Sequence, residues 1–309
     1  MNEKIIRINF IVIFILLLIF VPLIARIKPL KQNSPFNIDS FWASKTFPDK
    51  KPNILFYGDS RTYRGINPDD VSAFFPGYRV HNMGYSSGGM NKKALNFCLS
   101  TIDTTEKQPI IVLGITPFSL SEEARKNKQL TQENTRPFYE IIERKYIYPM
   151  VSAFEPIDLN PMIFPGQEPH YYQYFNKNGW VSSYKIPEDT TEALPSYKKQ
   201  YEHTIASEES VNETLLFVKN CTKRGISVYG FQPPVTKAMD LLEQQMSGFD
   251  VYDFKKRFVS SGGIWLDIPC RYGFHSYDGS HLDDISARKL STVIGKMMKQ
   301  TVNDVKTEE

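Results

Sequence analysis

Five short apolar runs, each near-continuous rather than alternating, decide most of what this chain is able to fold into: Asn53–Tyr57, Arg79–Met83, Ile110–Gly114, Ile226–Phe231 and Ile264–Ile268. A strand covered on both faces reads as apolar throughout, whereas a half-exposed strand alternates. Helical patterns fall between most of these runs, at Pro68–Phe75, Asn91–Ile102, Val211–Arg224, Thr236–Val259 and Leu282–Met298. In Val211–Arg224 the apolar side is Leu215, Leu216 and Val218, and Gly225 stands where a helix ends. Strands alternating with helices predict a three-layer αβα sandwich around a doubly wound parallel sheet, with ligands beyond the carboxyl ends of the strands.

One stretch breaks the alternation. Residues 117–207, between the third and fourth runs, carry Tyr171, Tyr172, Tyr174, Phe175 and Trp180 within ten positions. Long loops in compact domains carry function or are disordered, and aromatic richness argues for order. The segment is therefore read as an ordered insertion, serving either as a lid and substrate platform or as a cap over the sheet.

The N-terminus has a different character. Phe10 to Ala25 is unbroken apolar sequence, flanked by Lys4 and Arg7 before and by Arg26, Lys28 and Lys31 after. From Ile8 to Ile27 such a helix spans about 30 Å, one hydrocarbon core. No A-x-A site follows it, which favours an uncleaved anchor over a signal peptide. The expected organisation is thus an anchor at 1–27, a tether at 28–51, and a domain at 52–309 on the extracytoplasmic side of the cytoplasmic membrane. The formal charge of +3, from 37 basic and 34 acidic residues, gives no concentrated basic character and excludes a nucleic-acid partner. Cys98, Cys221 and Cys270 form no CxxC pair and no zinc spacing, so they are expected as buried free thiols, with a pairing of two of them left open.

Two segments carry chemistry. The first strand runs into Gly58-Asp59-Ser60-Arg61, which places a serine hydroxyl at the carboxyl edge of the sheet, with Gly58 allowing a tight turn. Near the other end lies Asp278-Gly279-Ser280-His281, ahead of the last helix. Serine needs a base to take its proton, and the base needs an orienting group. An Asp three residues before a His reaches back to the imidazole. Each segment alone has a plain structural reading, as a turn and as a helix cap.

Together the two segments resemble the SGNH (GDSL-like) hydrolase superfamily, over roughly Asn53 to Gln300 without the insertion. The resemblance implies a flavodoxin-like five-stranded sheet and a catalytic triad of Ser60, Asp278 and His281. It further implies an oxyanion hole from the Ser60 amide and Gly84 of Asn82-Met83-Gly84. The third block departs from the pattern: Gly114-Ile115-Thr116 places Thr116 where that family has asparagine, leaving its hydroxyl as a third candidate donor. His275 is a fallback base. His170 in the insertion is read as a surface residue ahead of a substrate contact, His81 as packed in the sheet, and Gly88 and Gly89 as flexible loop positions ahead of close-approach sites. Arg61 and Arg64 either meet an anionic substrate or are solvated. The implied activity is serine-dependent ester hydrolysis or acyl transfer on an envelope or surface glycan, without metal or organic cofactor. The anchored branch of the resemblance adds a membrane-bound acyl-donor protein as a candidate partner. The other class kept open is a non-catalytic envelope binding or assembly protein.

Overall fold

Apolar runs flanked by partners on both sides become fully buried strands, and the sheet shows the rule. The structure, a computed structural model, describes residues 3–27, 38–151 and 171–307. Its strands are β1 (Ile54–Gly58), β2 (Val80–Asn82), β3 (Ile110–Gly114), β4 (Tyr171–Phe175), β5 (Val181–Lys185), β6 (Ser227–Phe231) and β7 (Ile264–Trp265). Five of them form one parallel sheet in the order β2-β1-β3-β6-β7. This is the expected flavodoxin-like order. β1 and β3 are buried at every residue, and in register Ile54 lies opposite both Val80 and Ile110.

Alternate residues of each strand feed two separate cores. Leu55, Tyr57, Ile111 and Leu113 pack with Leu95 of α5 (Lys92–Thr101) and with Val218 and Cys221 of the helix Glu208–Lys223. Ile54, Phe56, Ile110 and Val112 pack with Val71 of α4 (Pro68–Ser72) and with Leu290 and Ile294 of the C-terminal helix Asp284–Thr307. Each such side chain contributes about 1.5–3 kcal/mol on full burial. The helix α3 (Ser60–Gly65) follows β1 directly. The chain leaves β1 for β2 on one side and returns through β3 on the other, so a crevice opens at the carboxyl ends of β1 and β3.

Four expectations change. The pattern over Thr236–Val259 is two helices, Lys237–Met246 and Val251–Ser260, because Gly248 takes φ +66° and Asp250 caps the second helix by accepting from the Tyr252 and Asp253 amides. The fifth strand pairs only over Ile264–Trp265. Cys98 and Cys221 are buried free thiols, but Cys270 is exposed. The expected tether is part of the domain from residue 38 on. Helix α2 (Ile38–Thr46) buries Phe41 and Ala43, and the buried Lys45 ammonium donates to Gly179 O at 2.6 Å inside a cage of Phe41, Trp42, Tyr63 and Tyr85. Burial pushes the Lys45 pKa well below its usual value.

The N-terminal run is helical, α1 (Glu3–Ile27). Among the described residues no helix is long and apolar enough to cross a membrane. The described side chains of α1 are residues 5–20, about 24 Å of helix, shorter than the run read from the sequence. All of them are exposed. The insertion contains the β4–β5 antiparallel hairpin and the helix Leu194–Tyr201, both ordered onto the domain.

Candidate active site

Asp59 ends β1 in an extended conformation and caps α3, its carboxylate accepting the Arg61 amide at 3.0 Å. Ser60 is therefore the first residue of a helix, at its positive end, facing the crevice. Gly58 is required by close approach rather than by a turn: a Cβ there would meet Thr62 Oγ1 at 2.1 Å and Gly114 O at 2.8 Å.

The second segment is a tight loop closed by the Ser276–Leu282 bridge and by Ser276 Oγ donating to His281 O at 2.8 Å. Gly279 holds φ +94°, a conformation that a side chain disfavours, and a Cβ there would meet Thr190 O at 2.3 Å. The loop points Asp278 inward. One carboxylate oxygen accepts the Ser280 and His281 amides at 2.8 and 2.7 Å, and the other lies 2.7 Å from His281 Nδ1. With Nδ1–H donating to Asp278, Nε2 is left as an acceptor, and Ser60 Oγ lies 2.8 Å from it. Two segments 221 residues apart thus meet in one hydrogen-bonded chain. A hydroxyl, an imidazole and a carboxylate stand in line, as the two sequence segments led one to expect.

No family model matches the chain, and no curated protein does. Solved structures do. It is similar to the inhibitor-bound aryl esterase of M. smegmatis at 11% identity and a TM-score of 0.38, over 80% of this chain and 98% of that one. It is also similar to a carbohydrate acetylesterase from Sinorhizobium meliloti at 11% identity and a TM-score of 0.39, again over 80% and 98% of the two chains. The account of the site stands on the geometry of this chain alone.

The expected donors depart from the sequence reading. Thr116 does not face the crevice: it is fully buried, and its hydroxyl proton goes to Asp59 Oδ2 at 2.5 Å. Its oxygen also accepts the Ser119 amide. It is removed from the donor set and acts instead to hold the Asp59 cap. Burial pushes the Asp59 carboxyl above its usual range, against the opposing Arg61 charge and the Thr116 hydroxyl. The Gly84 amide is also occupied, donating to Asn82 Oδ1 at 3.0 Å while the Asn82 amide nitrogen ties down Thr62 O and Ile66 O. Among the described residues, the Ser60, Ser86 and Ser87 amides have no acceptor. Ser87 is held at φ 52°, the left-handed region that a non-glycine residue rarely enters. Of the two readings of Gly88 and Gly89, the structure takes close approach: a Cβ would meet Gly58 O at 2.7 Å and Ala124 O at 2.4 Å. They press this loop against the end of β1.

The histidines sort cleanly. His275 is bonded to Asp283 at 3.0 Å and to Glu188 at 3.3 Å, so the fallback base is withdrawn. His81 is buried in the sheet, as expected, and donates to Lys45 O at 3.0 Å; burial lowers its pKa to about 4. His170 lies outside the described residues. Burial likewise pushes His281 down to about 4, helped by the Arg64 charge and opposed by Asp278. For Asp278, burial raises the pKa, but the bonds to His281 and to the two amides outweigh it and hold the carboxyl well below its usual range. The imidazole is therefore neutral and able to accept a proton across neutral pH. The expected pH profile of kcat/KM is flat from pH 7 down to about 5, with an acid limb near pH 4. An acid limb centred near 6.5, the ordinary histidine value, contradicts this environment.

Sequence reasoning missed the frame that holds the two segments together. Arg61 is buried, paired with Glu243 at 2.7 Å, and donates through Nε to Ser280 Oγ at 3.0 Å. It thereby links the turn after Ser60 to the His281 loop. Removing one member of such a buried pair leaves an uncompensated charge, costing about 3–5 kcal/mol. Glu243→Gln is accordingly expected to destabilise the fold by roughly 3 kcal/mol, measured by denaturant unfolding. A loss under 1 kcal/mol would mean that the pair is not what couples the segments. The insertion contributes as well. Ser280 Oγ donates to Tyr197 OH at 2.9 Å, Ser183 Oγ to Tyr277 OH at 3.2 Å, and the Tyr277 ring stacks on His281. A cavity of about 280 Å³ lined by Tyr172, Trp180, Tyr184 and Arg288 takes in none of Ser60, Asp278 and His281.

Proposed function

We propose that this chain hydrolyses or transfers acyl groups held in ester linkage, with Ser60 as nucleophile, His281 as general base and acid, and Asp278 as the group that fixes the imidazole tautomer. The observation that carries this reading is the unbroken chain from Ser60 Oγ through His281 to Asp278, at 2.8 and 2.7 Å, at the carboxyl end of β1. Ser60 Oγ attacks the ester carbonyl carbon as its proton passes to His281 Nε2. The tetrahedral oxyanion collapses, the carbon–oxygen bond to the alcohol breaks, and the alcohol leaves with the proton from Nε2. Water or a sugar hydroxyl then gives its proton to Nε2 and attacks the acyl-serine carbonyl; as the bond from the acyl carbon to Ser60 Oγ breaks, Nε2 returns the proton to Oγ and restores Ser60. The Ser60 amide, at the N-terminal end of α3 and without an acceptor, is the member of the expected donor set that remains for the oxyanion. Loss of one such donor typically costs about 10²–10³ in rate.

The substrate on this reading is an O-acylated envelope or surface glycan, met outside the cytoplasmic membrane by a domain anchored through α1. Support for anchoring comes from the helix itself, which is apolar on every side from Phe10 to Phe20 and has Phe10 at 75% exposure and Ile11 at 58%. An acyl-donor protein in the same membrane would serve the transferase form of the reaction. Incubation with an acetylated sugar, with and without a free carbohydrate acceptor, separates the two forms. Acetate release matching ester loss in both conditions identifies a hydrolase, acetylated acceptor identifies a transferase, and intact ester in both overturns the reading.

A further inference from the structure

Most of the described arginines in this fold meet a carboxylate. Arg61 reaches Glu243 at 2.7 Å, Arg125 reaches Glu213 at 2.8 Å, Arg136 reaches Glu133 at 2.8 Å and Arg257 reaches Glu208 at 2.6 Å. Arg64 is different. It sits four residues after Ser60 on α3, a spacing that puts both side chains on one face of the helix. Its Nη1 donates to Tyr277 OH at 2.9 Å, and its guanidinium lies 5.3 Å from the Tyr63 ring centre and 5.5 Å from that of Tyr171. Its Nε is buried with no hydrogen-bond partner, and among the described residues it forms no ion pair with a carboxylate. Tyr277, which holds one end of the guanidinium, stacks on the ring of His281 at 6.0 Å between centres.

A partly buried guanidinium surrounded by phenols has its charge oriented but not neutralised. Phenols accept hydrogen bonds, yet they carry no charge below their high pKa, and burial pushes the Tyr171 and Tyr277 phenols higher still. An unmatched cation in such a place is costly without an anion. Arginine's fixed fork of donors suits the planar oxygens of a carboxylate or a phosphate.

We infer that Arg64 is a specificity-determining residue that binds an anionic group, carboxylate or phosphate, carried by the substrate beside the ester that Ser60 attacks. The inference rests on the reading of Ser60 as the nucleophile, and it narrows that reading to acyl esters of acidic or phosphorylated carbohydrate. Arg61, paired with Glu243 and tied to Ser280, has no such freedom.

The test uses the full chain and three acetyl esters at one common hydroxyl: of methyl glucoside, of methyl glucoside oxidised to the uronate, and of glucose 6-phosphate. In the wild type, kcat/KM for at least one charged ester is expected to exceed that for the neutral one by about tenfold to a hundredfold, carried mainly in KM. The charged ester that wins tells carboxylate from phosphate. In Arg64→Gln the ratio of charged to neutral kcat/KM is expected to fall towards one, whatever happens to the absolute rates, and Arg64→Lys is expected to restore part of it. Equal kcat/KM across the three esters in the wild type, or a charge preference that persists in Arg64→Gln, overturns the inference. A second measurement is independent of turnover. Inorganic phosphate or acetate is expected to raise the Tm of Ser60→Ala and to leave Ser60→Ala/Arg64→Gln unmoved. If that stabilisation is seen while the wild type cleaves none of the three esters, the anion site stands and the acyl-transfer reading fails. If esters are cleaved without charge preference and neither anion stabilises, the acyl-transfer reading stands and the anion site fails.

Discussion

Replacing Ser60 by alanine is expected to lower kcat/KM for ester cleavage by about 10⁴–10⁶, with the fold intact. The size of the loss follows from removing the atom that the proposed mechanism uses to form the acyl-enzyme, since the residual rate then comes from the binding site and oxyanion donors acting on water. The fold is spared because the Ser60 hydroxyl is bonded to His281 Nε2 and supports no part of the core. Stability is therefore expected to stay within about 0.5 kcal/mol of the wild type, as for changes away from buried packing. Steady-state kinetics on a simple acetyl ester, alongside an unfolding curve, reads both quantities. Retention of more than one per cent of activity would remove Ser60 from the role of nucleophile.

Asp278→Asn is expected to cost about 10⁴ in kcat for a different reason. Asparagine keeps an oxygen able to accept the Ser280 and His281 amides, which Asp278 holds at 2.8 and 2.7 Å, so the loop keeps its shape. Its other end, however, becomes an NH₂ donor facing His281 Nδ1, 2.7 Å from the present carboxylate oxygen. The imidazole answers by moving its proton to Nε2, and Ser60 then faces a donor where it needs an acceptor. The carboxylate that stabilises the imidazolium is lost in the same step. The measurement is kcat against pH for the variant, with its Tm beside it. A near-normal kcat at neutral pH would show that the tautomer is set by something other than Asp278.

The layers of the fold were legible because burial on both faces leaves a mark in sequence: Ile54-Leu55-Phe56-Tyr57 has no polar residue to spare for solvent, and β1 is buried at each position. The alternation with helices gives the layers and the ligand edge, while the strand order was implied by the family resemblance. The Gly58-Asp59-Ser60 turn and the Asp278 to His281 loop were legible as local chemistry, and their meeting was implied by that resemblance. What stayed hidden depends on partners far away in sequence. The Arg61–Glu243 pair spans 182 residues and leaves no periodicity. Thr116 and Gly84 are ordinary donors when read along the chain, and only the positions of Asp59 and Asn82 take their protons elsewhere. The two-helix form of Thr236–Val259 was written in Gly248 and Asp250, a stop and a start that a continuous apolar pattern obscured. The segment Ile38–Thr46 lies within residues 28–51, whose Pro, Asn, Ser and Lys read as a tether, yet Phe41, Ala43 and Lys45 are buried. A lysine inside an aromatic cage is a tertiary fact that local sequence does not announce.

The claim beneath all of this is that the neutral imidazole of His281 makes the Ser60 oxygen a nucleophile. The most direct measurement is covalent: the folded wild-type protein is treated with a fluorophosphonate, and the adduct is located by mass spectrometry of its peptides. The expected result is a single adduct on Ser60, absent from Ser60→Ala and strongly slowed in a His281→Ala variant. An unlabelled Ser60 in protein shown to be folded, or an adduct on another residue that survives Ser60→Ala, would contradict the account.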